Sequence, residues 1–189
     1  MKPTILKRLL LTVYLRALPV FRRVRFFVRF RGSPIRIDPT SWISTRCIIK
    51  VQGGGSITIG RNCVVHDFAM ILTYGGEIHI GDNCSLNPFS IIYGHGGVRI
   101  GNGVRIAAHT VIVPANHEPA SEGRPLNQSG VTAVGIEIGD HVWLGAGVRI
   151  LDGVQIGKNA VVGAGSVVTK AVAENSTVVG TPARLIKQR

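Results

Sequence analysis

Counting in sixes from Ile59 returns an aliphatic residue at every step. The series runs Ile59, Val65, Ile71, restarts as Ile80, Leu86, Ile92, restarts again as Ile100, Ile106, Ile112, and after a gap continues through Ile138, Leu144, Ile150, Ile156, Val162 and Val168. All fifteen positions are Ile, Leu or Val, and Gly60, Gly81, Gly101, Gly139, Gly145, Gly157 and Gly163 follow seven of them. Neither a helix nor a simple alternating strand has a period of six. A coil with three short flat sides and eighteen residues per turn does, with one aliphatic side chain per side pointing inward onto its equivalent in the next coil. Five complete coils are visible. Stacked at about 4.8 Å as parallel strands, they predict an all-β prism whose interior is Ile, Leu and Val.

The break between Ile112 and Ile138 locates an insertion. A continuing coil would need aliphatic residues at 118, 124 and 130, where the chain has Glu118, Arg124 and Gly130. Residues 117–135 are therefore expected to leave the prism as a polar loop, and loops of this length in compact domains are usually functional or disordered. Cys47, Cys63 and Cys84 each follow an apolar template position (Ile43, Ile59, Ile80) by four residues. With no CxxC spacing, they read as free thiols and small buried packing groups.

The net charge of +12 belongs to one end of the chain. Residues 1–36 hold ten Lys and Arg (Lys2, Lys7, Arg8, Arg16, Arg22, Arg23, Arg25, Arg29, Arg31, Arg36) and no acid, which leaves 12 − 10 = +2 for the rest. The chain thus divides into a basic arm, 1–36, and a repeat domain, 37–189. Leu9 to Leu15 is far shorter than the roughly 20 residues a spanning helix needs. No small-residue cleavage site follows it, as a signal peptide would require. Read as a helix, the arm sets Arg8, Thr12 and Arg16 on one stripe against Leu6, Leu9, Leu10, Val13 and Leu18. After Pro19, Phe21, Val24 and Val28 recur opposite Arg22, Arg25 and Arg29. This pattern predicts an amphipathic arm over residues 1–31 lying on an anionic membrane, hence a cytoplasmic protein peripheral on the inner face of the membrane; packing on the protein's own body is the alternative. Nucleic acid is not an expected partner.

From Ile57 to the C-terminus the sequence resembles the maltose and galactoside O-acetyltransferases and the polysaccharide-biosynthesis O-acetyltransferases of the hexapeptide-repeat acyltransferase superfamily. The stretches that carry the resemblance are Thr73-Tyr-Gly-Gly-Glu-Ile-His-Ile-Gly81, Asn116-His117-Glu-Pro119, His141-Val-Trp143-Leu-Gly-Ala-Gly147, Gly163-Ala-Gly-Ser-Val-Val-Thr-Lys170 and Val179-Gly-Thr-Pro-Ala-Arg184. The resemblance implies a left-handed parallel β-helix with a short C-terminal tail, an exception to right-handed crossovers, assembled as a homotrimer with sites between neighbouring prisms. It implies His117 as catalytic base, Asn87 and Thr73 at the acceptor, and Trp143, Ala146, Ala164, Thr169, Lys170, Arg184 and Lys187 against acetyl-CoA. Where galactoside enzymes place an acceptor-binding Asp this chain has His95, taken as a further acceptor contact, and their acidic N-terminal segment is replaced by the basic arm.

The chemistry fits those residue types. A sugar hydroxyl attacks a thioester only as its proton leaves, and imidazole, with a pKa near 6.5, suits that transfer. No activated nucleophile motif is apparent, so direct transfer from acetyl-CoA is expected rather than an acyl-enzyme. Two rivals share the coil. A γ-class carbonic anhydrase would need three zinc-binding His, two of them five residues apart, and His66, His79, His95, His109, His117 and His141 include no such pair, so no metal is expected. A non-catalytic trimeric scaffold would lack coenzyme A binding.

Overall fold

From Ile35 the chain winds into a parallel β-solenoid of six coils, in a computed structural model that describes residues 32–120, 125 and 128–189. The expected amphipathic arm at 1–31 and the tip of the polar loop lie outside the described residues. Among those described, no helix is long and apolar enough to cross a membrane.

Each coil gives one short strand to each of three sheets. Face A carries Ile35–Ile37, Ser56–Ile59, Glu77–Ile80, Val98–Ile100, Ile136–Ile138 and Gln155–Ile156. Face B carries Trp42–Ile43, Val64–Val65, Ser85–Leu86, Arg105–Ile106, Trp143–Leu144, Val161–Val162 and Ser176–Val179, with Arg184–Gln188 turning back antiparallel at its edge. Face C carries Ile48–Lys50, Met70–Leu72, Ile91–Tyr93, Val111–Ile112, Arg149–Ile150 and Val167–Val168. The first coil, Ile35 to Lys50, precedes the five read from the sequence. Its Ile37, Ile43 and Ile49 keep the six-residue step, but the turn at Gln52–Gly55 is longer, so counting back from Ile59 falls on Gly53.

Register explains the period. Ile59 pairs with Ile80, Ile80 with Ile100, Ile100 with Ile138 and Ile138 with Ile156, so each inward side chain rests on its equivalent one coil away. All fifteen aliphatic positions are buried. A second inward position, four residues later, holds the smaller Cys63, Cys84, Val104, Val142 and Ala160 after face A, and Ala69, Ser90, Thr110, Val148 and Ser166 after face B, all buried. The three cysteines occupy this packing position, with the Cys63 thiol donating to Gly81 O at 3.0 Å.

The corners need a left-handed residue. At the A–B corner Asn62, Asn83, Asn159 and Asn175 take φ of 53° to 58°, a region Asn tolerates better than most side chains. Asp82, Asn102 and Asp140 each accept a backbone N–H from the preceding coil at 2.6 to 2.8 Å, so side chains extend the ladder around this corner. Close stacking also fixes glycines: a Cβ on Gly94 would lie 2.4 Å from Thr73 O.

The core makes a direct prediction. Ile106 has no exposed surface and lies between Leu86 and Leu144 in the register. Ile106→Ala should destabilise the fold by about 2–5 kcal/mol, read from the urea midpoint of the purified protein. A loss well under 1 kcal/mol would show that the coils do not pack as one column.

Candidate active site

The polar insertion leaves the prism at the C–A corner, between Ile112 and Ile136, and its base is held by a short ladder. Asn116–His117 pairs antiparallel with Val131–Thr132, with His117 opposite Val131, and the Glu118 N–H donates to Gly130 O at 2.9 Å. Ile100 and Ile138 pair across the insertion, so the coil resumes without a shift of register. The returning segment is pinned from the next coil: the Asp152 carboxylate accepts from the Val134 N–H at 3.0 Å and from the Gly135 N–H at 2.9 Å. His117 is exposed on this stem.

Around His117 the C–A corner is aromatic. The His95 ring stacks on Tyr74, with centroids 4.8 Å apart and planes at 15°, and Tyr93 stands edge-on to both at 5.3 and 6.0 Å. His95 Nδ1 is buried and has no hydrogen-bond partner among the described residues. Desolvation first, and then the nearby charge of His117, hold the His95 imidazole below its usual pKa. His95 and His117 are therefore neighbours within one chain. Thr73 shares this corner, but its side chain has no exposed surface. Its hydroxyl donates towards Gly54 O (2.8 Å) and Gln52 O (3.0 Å) and accepts from the Gln52 N–H (2.9 Å). Enclosed in this way, Thr73 shapes the turn beneath Tyr74.

Asn87 stands elsewhere, at the B–C corner. Its Nδ2 donates to Ile106 O at 2.9 Å, and its own carbonyl accepts from the Ser90 N–H and hydroxyl, which fixes the side chain on the corner. Ala146 and Ala164 follow on the same corner, in the fifth and sixth coils, beside the left-handed Gly147 and Gly165. In the earlier coils that left-handed slot carries Phe68, Phe89 and His109, stacked at 5.1 and 5.0 Å with the Arg46 guanidinium over Phe68. Trp143 projects from face B, 56% exposed. Thr169 and Lys170 lie at the C–A corner after Val167–Val168, exposed, while Arg184 and Lys187 sit on the exposed antiparallel edge strand of face B.

Apart from Trp143, Arg184 and Lys187 on face B, the candidate residues thus fall at two corners. His117, His95, Thr169 and Lys170 mark the C–A corner; Asn87, Ala146 and Ala164 mark the B–C corner. Face C separates them, and three extended residues span about 10 Å. Within one prism Asn87 and His117 do not meet. A groove of about 310 Å³ does exist on face A beneath the returning loop, lined by Thr58, His79, Arg99, Val134, Glu137 and Gln155, but no candidate residue lines it. Among the described residues no three His, Cys, Asp or Glu side chains cluster as metal ligands would.

Tyr74, Tyr93 and Asp152 are not singled out by the sequence pattern. Tyr74 lies inside the Thr73–Gly81 stretch, so a signal is present for it. Nothing in sequence spacing marks Asp152, whose role depends on where a loop returns.

Known proteins resemble this chain in sequence and fold. Residues 135–170 match the family model described as bacterial transferase hexapeptide (six repeats). Galactoside O-acetyltransferase of Lactococcus lactis subsp. lactis is 43% identical over 83 residues, covering 44% of this chain and 39% of that protein. The chain spans about half or less of the length of the curated relatives it matches. Among solved structures, a maltose O-acetyltransferase from Clostridium difficile 630 is 34% identical, with a TM-score of 0.58 and coverage of 69% of this chain and 68% of that one. A single-residue mutant of AntD, an N-acyltransferase from Bacillus cereus in complex with dTDP and coenzyme A, is 25% identical with a TM-score of 0.72, covering 86% and 88%. The chain belongs to the hexapeptide-repeat acyltransferase family.

The loop anchor is testable. Asp152→Ala removes a charged acceptor from two amides, a change of about 1.5–3 kcal/mol for such bonds. Amide exchange at Val134 and Gly135 should accelerate at least tenfold while exchange at Ile100 and Ile106 stays slow. Unchanged exchange at the two amides would show that the carboxylate does not hold the loop.

Proposed function

We propose that the protein transfers an acetyl group from acetyl-CoA to a hydroxyl of a sugar, with His117 as general base, in a site completed by a second copy of the chain. The observation that carries the reading is the placement of an exposed imidazole on a braced stem at the mouth of the long insertion in the repeat. It is supported by the galactoside and maltose O-acetyltransferases among the relatives and by coenzyme A bound to AntD.

The steps follow from the residues. The acceptor O–H donates to the His117 imidazole, and as that proton transfers, the oxygen attacks the thioester carbonyl. A tetrahedral oxyanion forms and collapses, the C–S bond breaks, and the departing thiolate takes the proton back from the imidazolium. Acetyl ester and free coenzyme A result, with no covalent enzyme intermediate. Asn87, held by Ile106 O through its Nδ2, keeps its Oδ1 to accept from a second hydroxyl of the same sugar. The Ala146 and Ala164 corner, flanked by Gly147 and Gly165, gives the pantetheine arm a backbone surface without bulky side chains. Lys170, Arg184 and Lys187 supply cations for its phosphates, with Thr169 and Trp143 beside them.

Two corners of one prism cannot close on one substrate, so the site calls for a neighbour's B–C corner facing this chain's C–A corner. A ring of three copies satisfies that head-to-tail contact and closes. His117→Ala should lower turnover roughly 10²- to 10⁴-fold without loss of folding, about 3–5.5 kcal/mol of barrier. Asn87→Ala should also impair turnover. When the two variants are mixed, denatured and refolded together, activity should exceed that of either alone, because some interfaces pair an intact His117 with an intact Asn87. Absence of recovery in mixed oligomers would place both residues in a single-chain site, and near-normal turnover of folded His117→Ala would remove the base.

The basic arm is proposed to hold the enzyme on the inner face of the membrane, which makes the acceptor a membrane-associated glycan or polysaccharide precursor. Each Lys or Arg near an anionic surface adds about 1 kcal/mol, and three arms act together. Removing residues 1–31 should abolish sedimentation with phosphatidylserine vesicles but leave transfer to a small soluble sugar. Unchanged sedimentation after truncation would end this part of the reading.

A further inference from the structure

The left-handed slot of the B–C corner forms a column along the prism. Backbone bonds hold it in register: the His109 N–H donates to Pro88 O at 3.2 Å, the Gly147 N–H to Ala108 O at 2.9 Å and the Gly165 N–H to Ala146 O at 2.8 Å. Phe68, Phe89, His109, Gly147 and Gly165 therefore succeed one another at about 4.8 Å per coil, all with φ between 61° and 70°. The three rings stack, with His109 5.0 Å from Phe89 and their planes 6° apart. At Gly147 the stack stops. Among the described residues, a Cβ on Gly147 would meet nothing closer than 3.9 Å, and one on Gly165 nothing within 4 Å. The rings hold the same region of φ, so neither crowding nor backbone conformation excludes a side chain from the two bare slots. The face of the His109 ring turned towards Gly147 thus looks into open space.

That ring is firmly placed. Phe89 and Phe68 back it along the axis, and Arg149 Nη1 donates to His109 O at 2.9 Å and to Gly147 O at 2.7 Å, which ties the last ring slot to the first bare one. Its height matters as much. Asn87 lies one coil before His109 and Ala146 one coil after it. A cofactor arm that runs along Ala164 and Ala146 towards an acceptor at Asn87 brings its thioester to the level of His109, inside an interval of about 10 Å.

We propose that the His109 ring is the wall on which the acyl chain of the thioester ends, and that it selects acetyl over longer acyl groups. An acetyl methyl fits in the space beside the ring. Further methylenes run into a ring that Phe89 and Phe68 keep from moving along the axis, and forcing extra volume against a packed wall is costly. This rests on the proposed transfer from a coenzyme A thioester and adds the residue that decides acyl length.

The probes are acetyl-CoA, butyryl-CoA and hexanoyl-CoA, titrated calorimetrically into the full-length protein. His109→Gly and His109→Asn suit the left-handed backbone and remove the ring; His109→Phe keeps a ring, as at Phe89. One methylene too many in a fitted pocket changes recognition by about tenfold or more. The wild type should therefore bind hexanoyl-CoA at least about tenfold more weakly than acetyl-CoA, with butyryl-CoA between them. The ratio of the two dissociation constants should fall about tenfold in His109→Gly and His109→Asn and stay at the wild-type value in His109→Phe. Each ratio is taken within one protein, so a general loss of folded material cancels. Equal affinity of the wild type for acetyl-CoA and hexanoyl-CoA, a ratio unchanged in His109→Gly and His109→Asn, or a ratio that falls as far in His109→Phe would each overturn the wall. Any of these alongside measurable binding of acetyl-CoA leaves the transferase reading intact, whereas no binding of any of the three thioesters by the wild type sinks both.

Discussion

Everything in this molecule depends on a backbone ladder that repeats along the prism axis. Each strand of the coils is only two to four residues long, too short to be stable in isolation. Bonded to its equivalents above and below, it also places its one inward side chain directly on theirs. The column Ile59, Ile80, Ile100, Ile138, Ile156 is the result. A large aliphatic at one inward position and a small residue four places on, such as Ile80 with Cys84 or Leu144 with Val148, share the cross-section, and all four are buried.

That regularity leaves the interior no chemical freedom and moves all of it to corners and outward positions. The left-handed corner slot shows how the freedom is used. At the A–B corner the slot is mostly Asn, with Asp82, Asn102 and Asp140 adding side-chain bonds to the ladder. At the B–C corner it changes along the axis from Phe68, Phe89 and His109 to Gly147 and Gly165, from a wall of rings to bare backbone. At the C–A corner it carries Tyr74 below His95. The insertion costs the repeat little because both of its ends stay on one corner. The Asn116–Thr132 and His117–Val131 pairs close it, and Asp152 ties down the returning strand.

The column of aliphatics is legible in the sequence because the period of six is the pairing register itself. The insertion is legible because Glu118, Arg124 and Gly130 break that register. The first coil escapes because the Gln52–Gly55 turn is long enough to put Gly53 where an aliphatic is due. Site residues are harder to read. Thr73 has a hydroxyl next to the right corner, but three backbone groups of the Gln52–Gly54 turn surround it. His95 stands out in the sequence; its stacking on Tyr74 and its orphaned Nδ1 depend on which residues fall in register one coil apart.

The division of candidate residues between two corners bears on how such a site can work. An exposed imidazole on one corner of a prism is surrounded by water, and water would compete with a sugar hydroxyl for a bound thioester. In the proposed assembly, a second prism brought against that corner would exclude solvent and strengthen each electrostatic contact within the seam. It also brings a corner whose slot narrows to Gly147 and Gly165 where an extended cofactor arm needs room and broadens to rings further along. Selection for catalysis would then act on packing between copies as well as on the base. In that arrangement the rigid ladder sets the axial height of His117 on one chain against Asn87 on the other, in steps of about 4.8 Å. In the proposed seam, sliding one copy by a single coil would separate the acceptor from its base, so such a seam would have to specify height as strictly as contact.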